Sequence, residues 1–179
     1  MEGVLKEEVV EKIRKIKLLI LDVDGVLTDG GIFYNDEGGE TKRFDVKDGH
    51  GIKLAIASGI DVALVSARES KAVQYRAENL GIKLVYQGIR DKVRAIEEIM
   101  EKKSLKPDEI AYVGDDLVDL KVIKRVGFSA AVQDASKDVL DRADYITVRP
   151  GGRGAVREVV EVLLKSQDKW DGAIRQYFS

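Results

Sequence analysis

The sequence contains no cysteine, only two prolines and one histidine, and no apolar run long enough to span a membrane. The lack of cysteine excludes a disulfide framework and a thiolate metal site. A membrane-spanning helix needs about 20 predominantly apolar residues, so we expect no membrane partner. Residues 1–17 are too rich in charge for a secretory signal peptide, and we therefore expect a cytoplasmic protein.

Neither sign of charge dominates the chain, because 30 basic residues are balanced by 32 acidic ones. No basic stripe is visible, so we expect no nucleic-acid partner. A hydrophobic content of 44% with a charged content of 35% is typical of a globular protein with an ionic surface. The length suffices for a substantial core, and we predict a single domain over residues 1–179.

The most informative stretch is an apolar run that ends abruptly in two aspartates and a glycine. Leu-Leu-Ile-Leu at residues 18–21 is followed by Asp22, Asp24 and Gly25. The uncharged run predicts a buried strand, and open α/β sheets bind ligands at the carboxyl ends of their strands. Asp22 and Asp24 would share one face of that strand. Two such carboxylates repel unless a cation or a shared proton relieves them, which predicts a bound metal.

Strand and helix patterns alternate along most of the chain. The predicted strands span about residues 16–23, 61–66, 83–86, 109–113, 128–132 and 144–148. The predicted helices span about residues 4–15, 50–58, 70–80, 91–103, 117–125, 136–141 and 155–165. Such alternation implies a Rossmann-like three-layer α/β/α fold with a mainly parallel sheet. Two short β-prone runs within residues 30–45 predict a β-hairpin flap after the first strand, and residues 150–179 form a predicted C-terminal tail.

Further polar residues follow predicted strands at the same edge of the sheet. They are Ser66, Lys92, Asp115, Asp116 and, one turn later, Asp119. The carboxyl ends of parallel strands meet at one edge, so these side chains can converge on Asp22. Mg²⁺ prefers a few carboxylate oxygens, with water and substrate phosphate completing its shell, and lysine supplies a point charge to a phosphate oxygen. The set therefore predicts a site for a phosphoryl group and a hard cation.

In order and spacing, these residues resemble the four motifs of the haloacid dehalogenase superfamily of phosphohydrolases. The motifs are Asp22-Val23-Asp24-Gly25-Val26, Ser66, Lys92, and Gly114-Asp115-Asp116 with Asp119. Other stretches narrow the resemblance to the phosphomonoesterases that act on the 8-phosphate of 3-deoxy-D-manno-octulosonate, a precursor of lipopolysaccharide. These stretches are residues 28–30, 48–53, 86–88, 111–117 and 151–158.

The resemblance implies a role for the acidic residues. Asp22 would be the nucleophile and form an aspartyl-phosphate, and Asp24 would protonate the leaving sugar alkoxide and then activate water. Mg²⁺ would be held by the Asp22 carboxylate, the Asp24 backbone carbonyl and Asp115. Asp116 would act on the metal through water, and Asp119 would support the site.

The resemblance also implies how the substrate is held. Ser66, the Ala67 amide and Lys92 would bind the phosphoryl oxygens, and Gly25 would let the backbone approach the phosphate. The substrate would be a phosphorylated sugar acid, and Arg68 suits its carboxylate through a bidentate pair, with Arg76 as a second contact. The second motif departs from the usual Thr-Gly-Arg by being Ser-Ala-Arg, which keeps the hydroxyl and the amide.

The spacing of the motifs leaves no room for the cap domain that many relatives insert. The hairpin and one helix use up the residues between Asp24 and Ser66, and only a helix, a strand and a turn fit between Ser66 and Lys92. We therefore predict a capless enzyme. The resemblance implies a homotetramer that buries the apolar hairpin tip at residues 32–34 and brings Arg153 of one subunit to the substrate of the next.

Three alternatives remain open. A neuraminate 9-phosphate phosphatase or a broader sugar-phosphate phosphatase has the same chemistry, although relatives of the first kind tend to carry glutamate at the position of Arg68. A non-catalytic binding or regulatory module would keep the fold without the reaction. A phosphomutase is the third, but such members of the superfamily usually have a cap. His50 lies beside glycines, and we interpret it as structural rather than as a general base.

Overall fold

Six parallel strands form the central sheet of the computed structural model, which describes residues 5–178. The strands are β1 (Leu18–Leu21), β2 (Phe33–Tyr34), β3 (Glu40–Thr41), β4 (Asp61–Val65), β5 (Leu84–Tyr86), β6 (Ile110–Gly114), β7 (Phe128–Ala131) and β8 (Tyr145–Ile146). Their order in the sheet is β5-β4-β1-β6-β7-β8, and β2 and β3 pair separately as an antiparallel hairpin. The predicted mainly parallel sheet and the hairpin after the first strand are confirmed.

Helices connect the strands and cover the sheet. They are α1 (Glu7–Arg14), α2 (Val46–Ala57), α3 (Lys71–Leu80), α4 (Lys92–Lys103), α5 (Leu120–Ile123), α6 (Lys137–Leu140), α7 (Ala155–Ser166) and α8 (Trp170–Ile174). Helices α1 and α2 both pack against α7, whereas α4 packs against α5. All four residues of β1 are buried, as a central strand between two helical layers requires.

The observed element bounds differ from the predicted ones for local reasons. Helix α2 begins four residues before the predicted start at residue 50, because Asp45 caps it by accepting hydrogen bonds from the N–H groups of Lys47 and Asp48. The predicted helix at 117–125 is a 3₁₀ turn followed by the short α5. Helix α8 lies in the predicted tail, where no helix was expected. Residue 4 of the first predicted helix lies outside the described residues, as do residues 1–3 and 179 of the predicted domain.

The register of the central strands brings the candidate residues to one level. Leu21 in β1 is paired with Leu64 in β4 and with Val113 in β6. Asp22 therefore lies level with the last residues of both neighbouring strands, and its N–H donates to the carbonyl of Val113 at 3.1 Å. Ser66 and Asp115 follow the ends of those strands, so three motifs meet at the centre of the sheet edge. Across residues 5–178, we find no helix with the length and apolarity to cross a membrane.

Candidate active site

A buried lysine lies between two aspartates at the centre of this edge. Lys92 Nζ is 2.7 Å from Asp22 Oδ2 and donates a hydrogen bond of the same length to Asp119 Oδ1. Lys92 is the first residue of α4, and Asp91 fixes that start by accepting hydrogen bonds from the N–H groups of Val93 and Arg94. The cap on α4 thus determines where the lysine enters the site.

Asp119 holds the loop after β6 in place. Its Oδ2 accepts hydrogen bonds from the N–H of Asp115 at 3.0 Å and from the N–H of Asp116 at 3.2 Å. Its Oδ1 accepts from Lys92 and, at 2.5 Å, from the hydroxyl of Tyr112, which lies within β6. Both oxygens of this fully buried carboxylate are therefore engaged in supporting the loop.

The acidic groups at this edge fit a divalent cation. Oxygens of Asp22, Asp115 and Asp119 lie within 4.8 Å of one another. Because Asp119 is already saturated with donors, Asp22 and Asp115 are the carboxylates left to bind a metal. Hard oxygen donors of this kind, with positions left for water and phosphate, suit Mg²⁺. Asp24 does not add its carboxylate to this group, since its side chain points to the hairpin.

The charge at the site is not balanced by protein groups alone. Burial raises the pKa of Asp22 to about 6, and Lys92 offsets only part of this effect. Burial, together with the charges of Asp22 and Asp119, raises the pKa of Asp115 to about 8. Burial acts to lower the pKa of Lys92, but the two aspartates outweigh it and the net shift is upward. A divalent cation would stabilise the charged forms of Asp22 and Asp115, which burial disfavours.

We expect Mg²⁺ to bind more tightly as the pH rises, because protons on Asp22 and Asp115 compete with it. Because their pKa values are raised on folding, Asp22 and Asp115 each destabilise the folded, metal-free protein as the pH rises through about 6 and about 8. The increase in Tm caused by Mg²⁺ should therefore grow with pH. From about pH 8.5 to about pH 5.5, the apparent Kd measured by calorimetry should weaken at least about tenfold.

Two variants control this measurement. Asp115→Asn should abolish most of the binding and of its pH dependence. Asp61→Asn removes an exposed carboxylate at the other end of β4, where it pairs with Lys103, and should leave both unchanged. An Mg²⁺ affinity that does not vary with pH would contradict the assignment of these two ligands.

The second motif lies at the end of β4 in a tight turn. The N–H of Ser66 donates to the carbonyl of Tyr86 at 2.9 Å, and its buried Oγ accepts from the N–H of Arg68 at 3.2 Å. Ala67 between them is exposed. The turn follows β4, which pairs with β1, and the role of its hydroxyl and of the Ala67 amide in holding a phosphoryl group stays a prediction.

Gly25 is required by its neighbours as well as by its backbone conformation. Its φ is +89°, and a Cβ at this position would overlap the carboxylate of Asp115. A Cβ on Gly151 would in turn overlap the carbonyl oxygen of Gly25. The N–H of Gly152 donates to the carbonyl of Val26 at 2.9 Å. The loop before α7 is therefore packed closely against the loop that carries the first motif.

Asp48 explains why α7 and its preceding loop hold that position. It is buried on α2, and its two oxygens accept from the N–H groups of Gly154 at 3.1 Å and Arg157 at 2.8 Å. A side chain of one helix thus caps the start of another. His50, two residues on, lies 2.9 Å from the hydroxyl of Tyr177 through its Nε2. This contact with the tail agrees with a structural role for the histidine.

The hairpin adds a second charged cluster beside the first. Lys42 Nζ is bonded to Asp24 Oδ1 and lies 2.9 Å from Glu40 Oε1. Glu40 Oε2 accepts from Arg68 Nη2 at 2.8 Å, and the same nitrogen donates to the hydroxyl of Tyr34 at 3.0 Å. Of these five residues, Asp24 and Arg68 are predicted site residues, and Tyr34 was expected only as part of the apolar hairpin tip. Their partners come from the hairpin, whose orientation no local pattern specifies.

The hydrogen bonds within this cluster favour the charged forms of Glu40 and Lys42. Lys42 and Arg68 hold the pKa of Glu40 at about 2. Burial acts to lower the pKa of Lys42, but hydrogen bonds to Asp24 and Glu40 more than offset it, so that the pKa is raised. Two carboxylates and two cations therefore form a balanced group beside the unbalanced cluster around Asp22.

The other two predicted substrate arginines have protein partners. Arg76 Nη2 donates to the carbonyl of Asp45 at 3.1 Å, and its guanidinium lies 5.6 Å from the ring centre of Phe44. These contacts tie α3 to the start of α2. Arg153 Nη2 is 3.6 Å from Asp29 Oδ2, and more than half of its side chain is exposed. It therefore lies at the surface beside Asp29, in the segment that follows the first motif.

The fold and the acidic site together define a haloacid dehalogenase-like hydrolase, and residues 85–157 match the sequence model of that family. The chain is 48% identical over 171 residues to the 3-deoxy-D-manno-octulosonate 8-phosphate phosphatase KdsC of Escherichia coli K12. The match covers 96% of this chain and 91% of the relative. The chain therefore belongs to the family of 3-deoxy-D-manno-octulosonate 8-phosphate phosphatases.

Solved structures agree with this membership. The 3-deoxy-D-manno-octulosonate 8-phosphate phosphatase of Yersinia pestis is 46% identical with a TM-score of 0.91, over 93% of this chain and 90% of that one. The enzyme of the same name from Moraxella catarrhalis, solved with magnesium ion, phosphate ion and KDO, is 43% identical with a TM-score of 0.93. That match covers 95% of this chain and 98% of the other.

Proposed function

We propose that this protein hydrolyses 3-deoxy-D-manno-octulosonate 8-phosphate to the free sugar acid and phosphate, through an aspartyl-phosphate on Asp22. The observation that carries the proposal is the buried Asp22, paired with Lys92 at 2.7 Å and grouped with Asp115 at the sheet edge. Such a set serves phosphoryl transfer, in which positioning and charge stabilisation do most of the work. The relatives' activity supports the choice of substrate.

In the first step Asp22 attacks phosphorus in line, and the bond from phosphorus to the sugar oxygen breaks. Asp24 gives its proton to that oxygen, so the sugar leaves as an alcohol. Held by Asp22, Asp115 and the Asp24 carbonyl, Mg²⁺ supplies the positive charge that lets a carboxylate meet an anionic ester. Asp116 adds negative charge near the ion.

In the second step Asp24 takes a proton from water, and the water oxygen attacks phosphorus of the acyl phosphate. The bond between phosphorus and the Asp22 oxygen breaks, which releases phosphate and restores the carboxylate. The Ser66 hydroxyl, the Ala67 amide and Lys92 hold the phosphoryl oxygens through both steps. Asp119 positions Lys92 and the Asp115 loop, and Gly25 leaves space for them.

The substrate carboxylate binds at Arg68 in this proposal. Arg68 uses Nη2 for Glu40 and Tyr34, while its buried Nε has no hydrogen-bond partner among residues 5–178. The Arg68 side chain is 41% exposed, so its guanidinium is open to a carboxylate that arrives from solvent. Arg76 would have to give up its contact with Asp45 to reach the same group.

The proposed assembly is a homotetramer in the cytoplasm. The hairpin tip is apolar yet exposed, with Phe33 at 57% and Tyr34 at 62% of their full accessible area. Burial of several such tips against one another would remove this surface from water. Arg153, which is exposed beside Asp29, would then reach the substrate of a neighbouring subunit. A stable monomer in light scattering would contradict this assembly.

Phosphate release across a panel of sugar phosphates tests the proposed activity. We expect kcat/KM for the octulosonate 8-phosphate to exceed that for neuraminate 9-phosphate at least about tenfold. The reason is that this chain has Arg68 where neuraminate 9-phosphate phosphatases tend to have glutamate. EDTA should abolish turnover, and added Mg²⁺ should restore it. A better substrate elsewhere in the panel would refute the specificity, and turnover in EDTA would refute the metal-dependent mechanism.

A further inference from the structure

The hairpin at residues 30–45 buries the side chain of its single lysine, although the hairpin itself lies at the surface. The side chain of Lys42 is 1% exposed, whereas that of the adjacent Arg43 is 52% exposed. Burying an ammonium group is costly unless it is paired and hydrogen-bonded. Lys42 meets that need with Asp24 on one side and Glu40 on the other. The second partner belongs to the hairpin, and the first belongs to the candidate active site.

The two oxygens of Asp24 are in different situations. Oδ1 is bonded to Lys42 Nζ, whereas Oδ2 lies 3.9 Å from Arg68 Nε, which is beyond hydrogen-bonding distance. A carboxylate fixed through one oxygen can still exchange a proton through the other. The position of that second oxygen then depends on where Lys42 is held.

The hairpin supplies the rigidity that this arrangement needs. Glu40 lies two residues before Lys42 on the same arm, so the two side chains share a face. Glu40 Oε2 is fixed by Arg68 Nη2 at 2.8 Å, and Arg68 follows directly on the Ser66 turn. Lys42 is therefore held in place by Glu40, which Arg68 fixes. Lys42 in turn holds the side chain of Asp24.

We propose that Lys42 is a positioning residue that fixes the carboxylate of Asp24 for proton transfer to the leaving sugar oxygen. The inference rests on the proposed function, because it concerns a proton transfer within that reaction. The proposal assigns the hairpin a part in the chemistry. The carboxylate of Asp24 is held in position only while Lys42, which follows β3, is bonded to it. The Lys42 side chain acts on Asp24 and does not contact the phosphoryl group.

Leaving-group dependence separates this role from a structural one. A sugar alkoxide is strongly basic and must be protonated as it leaves, whereas p-nitrophenolate leaves without a proton. The ratio kcat/KM reports events up to departure of the leaving group, so it is insensitive to the later attack of water. Loss of correct Asp24 placement should therefore slow the sugar ester far more than the nitrophenyl ester.

The experiment compares Lys42→Met with the parent protein on octulosonate 8-phosphate and on p-nitrophenyl phosphate at saturating Mg²⁺. We expect kcat/KM for the sugar ester to fall about 100-fold and that for the nitrophenyl ester to fall less than about threefold. The single-turnover rate at saturating sugar ester should fall by a similar factor. A rapid burst of nitrophenolate should also appear, because Asp24 is needed again to activate water.

Two further variants complete the test. Arg43→Met removes the neighbouring cation, which pairs with Asp29 rather than Asp24, and should lower both activities by the same small factor. Lys42→Arg keeps the charge on a side chain of different shape. It should also lower kcat/KM more for the sugar ester than for the nitrophenyl ester, but by a smaller factor than Lys42→Met. It also serves if Lys42→Met does not fold, as judged by circular dichroism.

Each contrary result has a distinct meaning. Equal losses on the two esters in the Lys42 variants would overturn the positioning role and leave the proposed function intact. A raised KM with an unchanged single-turnover rate would instead make Lys42 a substrate contact, which also overturns it. Failure of the parent protein to hydrolyse either ester would refute the proposed function itself.

Discussion

The Asp22→Asn variant is expected to fold as the parent does and to lose at least about 10⁴-fold in kcat/KM on every phosphate ester. An amide cannot form the acyl phosphate, and neither Asp24 nor Asp115 lies in line to replace it in the proposed mechanism. Folding should be preserved because burial already disfavours the charged form of Asp22, whose pKa is raised to about 6. Lys92 would keep its bond to Asp119 at 2.7 Å.

Initial rates and a thermal melt on the same preparation measure the two halves of this expectation. Asp61→Asn is the matched control, since it makes the same chemical change at the opposite end of the neighbouring strand and should retain full activity. Mass spectrometry after rapid acid quench should detect a phosphorylated parent protein but no phosphorylated Asp22→Asn protein. Activity above about one per cent of the parent's would exclude Asp22 as the nucleophile.

The arrangement of the sheet edge could be predicted from the sequence because it depends on local patterns. The apolar run at residues 18–21 marks a strand buried on both faces, and Asp22 marks the point where it ends. Alternation of helices and strands then implies parallel strands, and parallel strands bring Ser66 and Asp115 to the same edge. Each step uses spacing within one segment together with one general rule of topology.

The side-chain partners could not be predicted in the same way, because they join segments that only the folded chain brings together. Lys42 reaches Asp24 across 18 positions, and Arg68 reaches Glu40 across 28. The contact between Tyr112 and Asp119 is an exception, because the sequence indicates that Tyr112 needs a partner. Tyr112 lies within an apolar strand, and a buried tyrosine hydroxyl needs a hydrogen-bond partner, which here is Asp119.

The charge balance of the two clusters explains why a cation suits one and not the other. Around Lys92, three carboxylates (Asp22, Asp115 and Asp119) face a single cation, which leaves two negative charges for a divalent ion. In the hairpin cluster, two carboxylates face two cations. The carboxylate of Asp24 is thus drawn to the hairpin by Lys42 and stays outside the acidic group around Lys92, which leaves it for the proton transfer proposed above.

Replacement of Asp119 should destabilise the fold more than any other single change at the site. Asp119→Ala would remove the acceptor used by Lys92, Tyr112 and two backbone N–H groups. Breaking a buried ion pair by removing one partner costs about 3–5 kcal/mol, because the other charge stays buried. Lys92 retains Asp22, so we expect a loss of about 3 kcal/mol in the free energy of unfolding.

Urea denaturation of the metal-free protein measures this loss without interference from Mg²⁺. Asp116→Ala is the matched control, since its exposed carboxylate caps the turn that follows, accepting from the N–H of Leu117, and its removal should cost about 1 kcal/mol. Asp119→Asn keeps an acceptor for the backbone and should fall between the two. Equal losses for Asp119→Ala and Asp116→Ala would show that the Asp119 contacts with Lys92 and Tyr112 contribute no net stability.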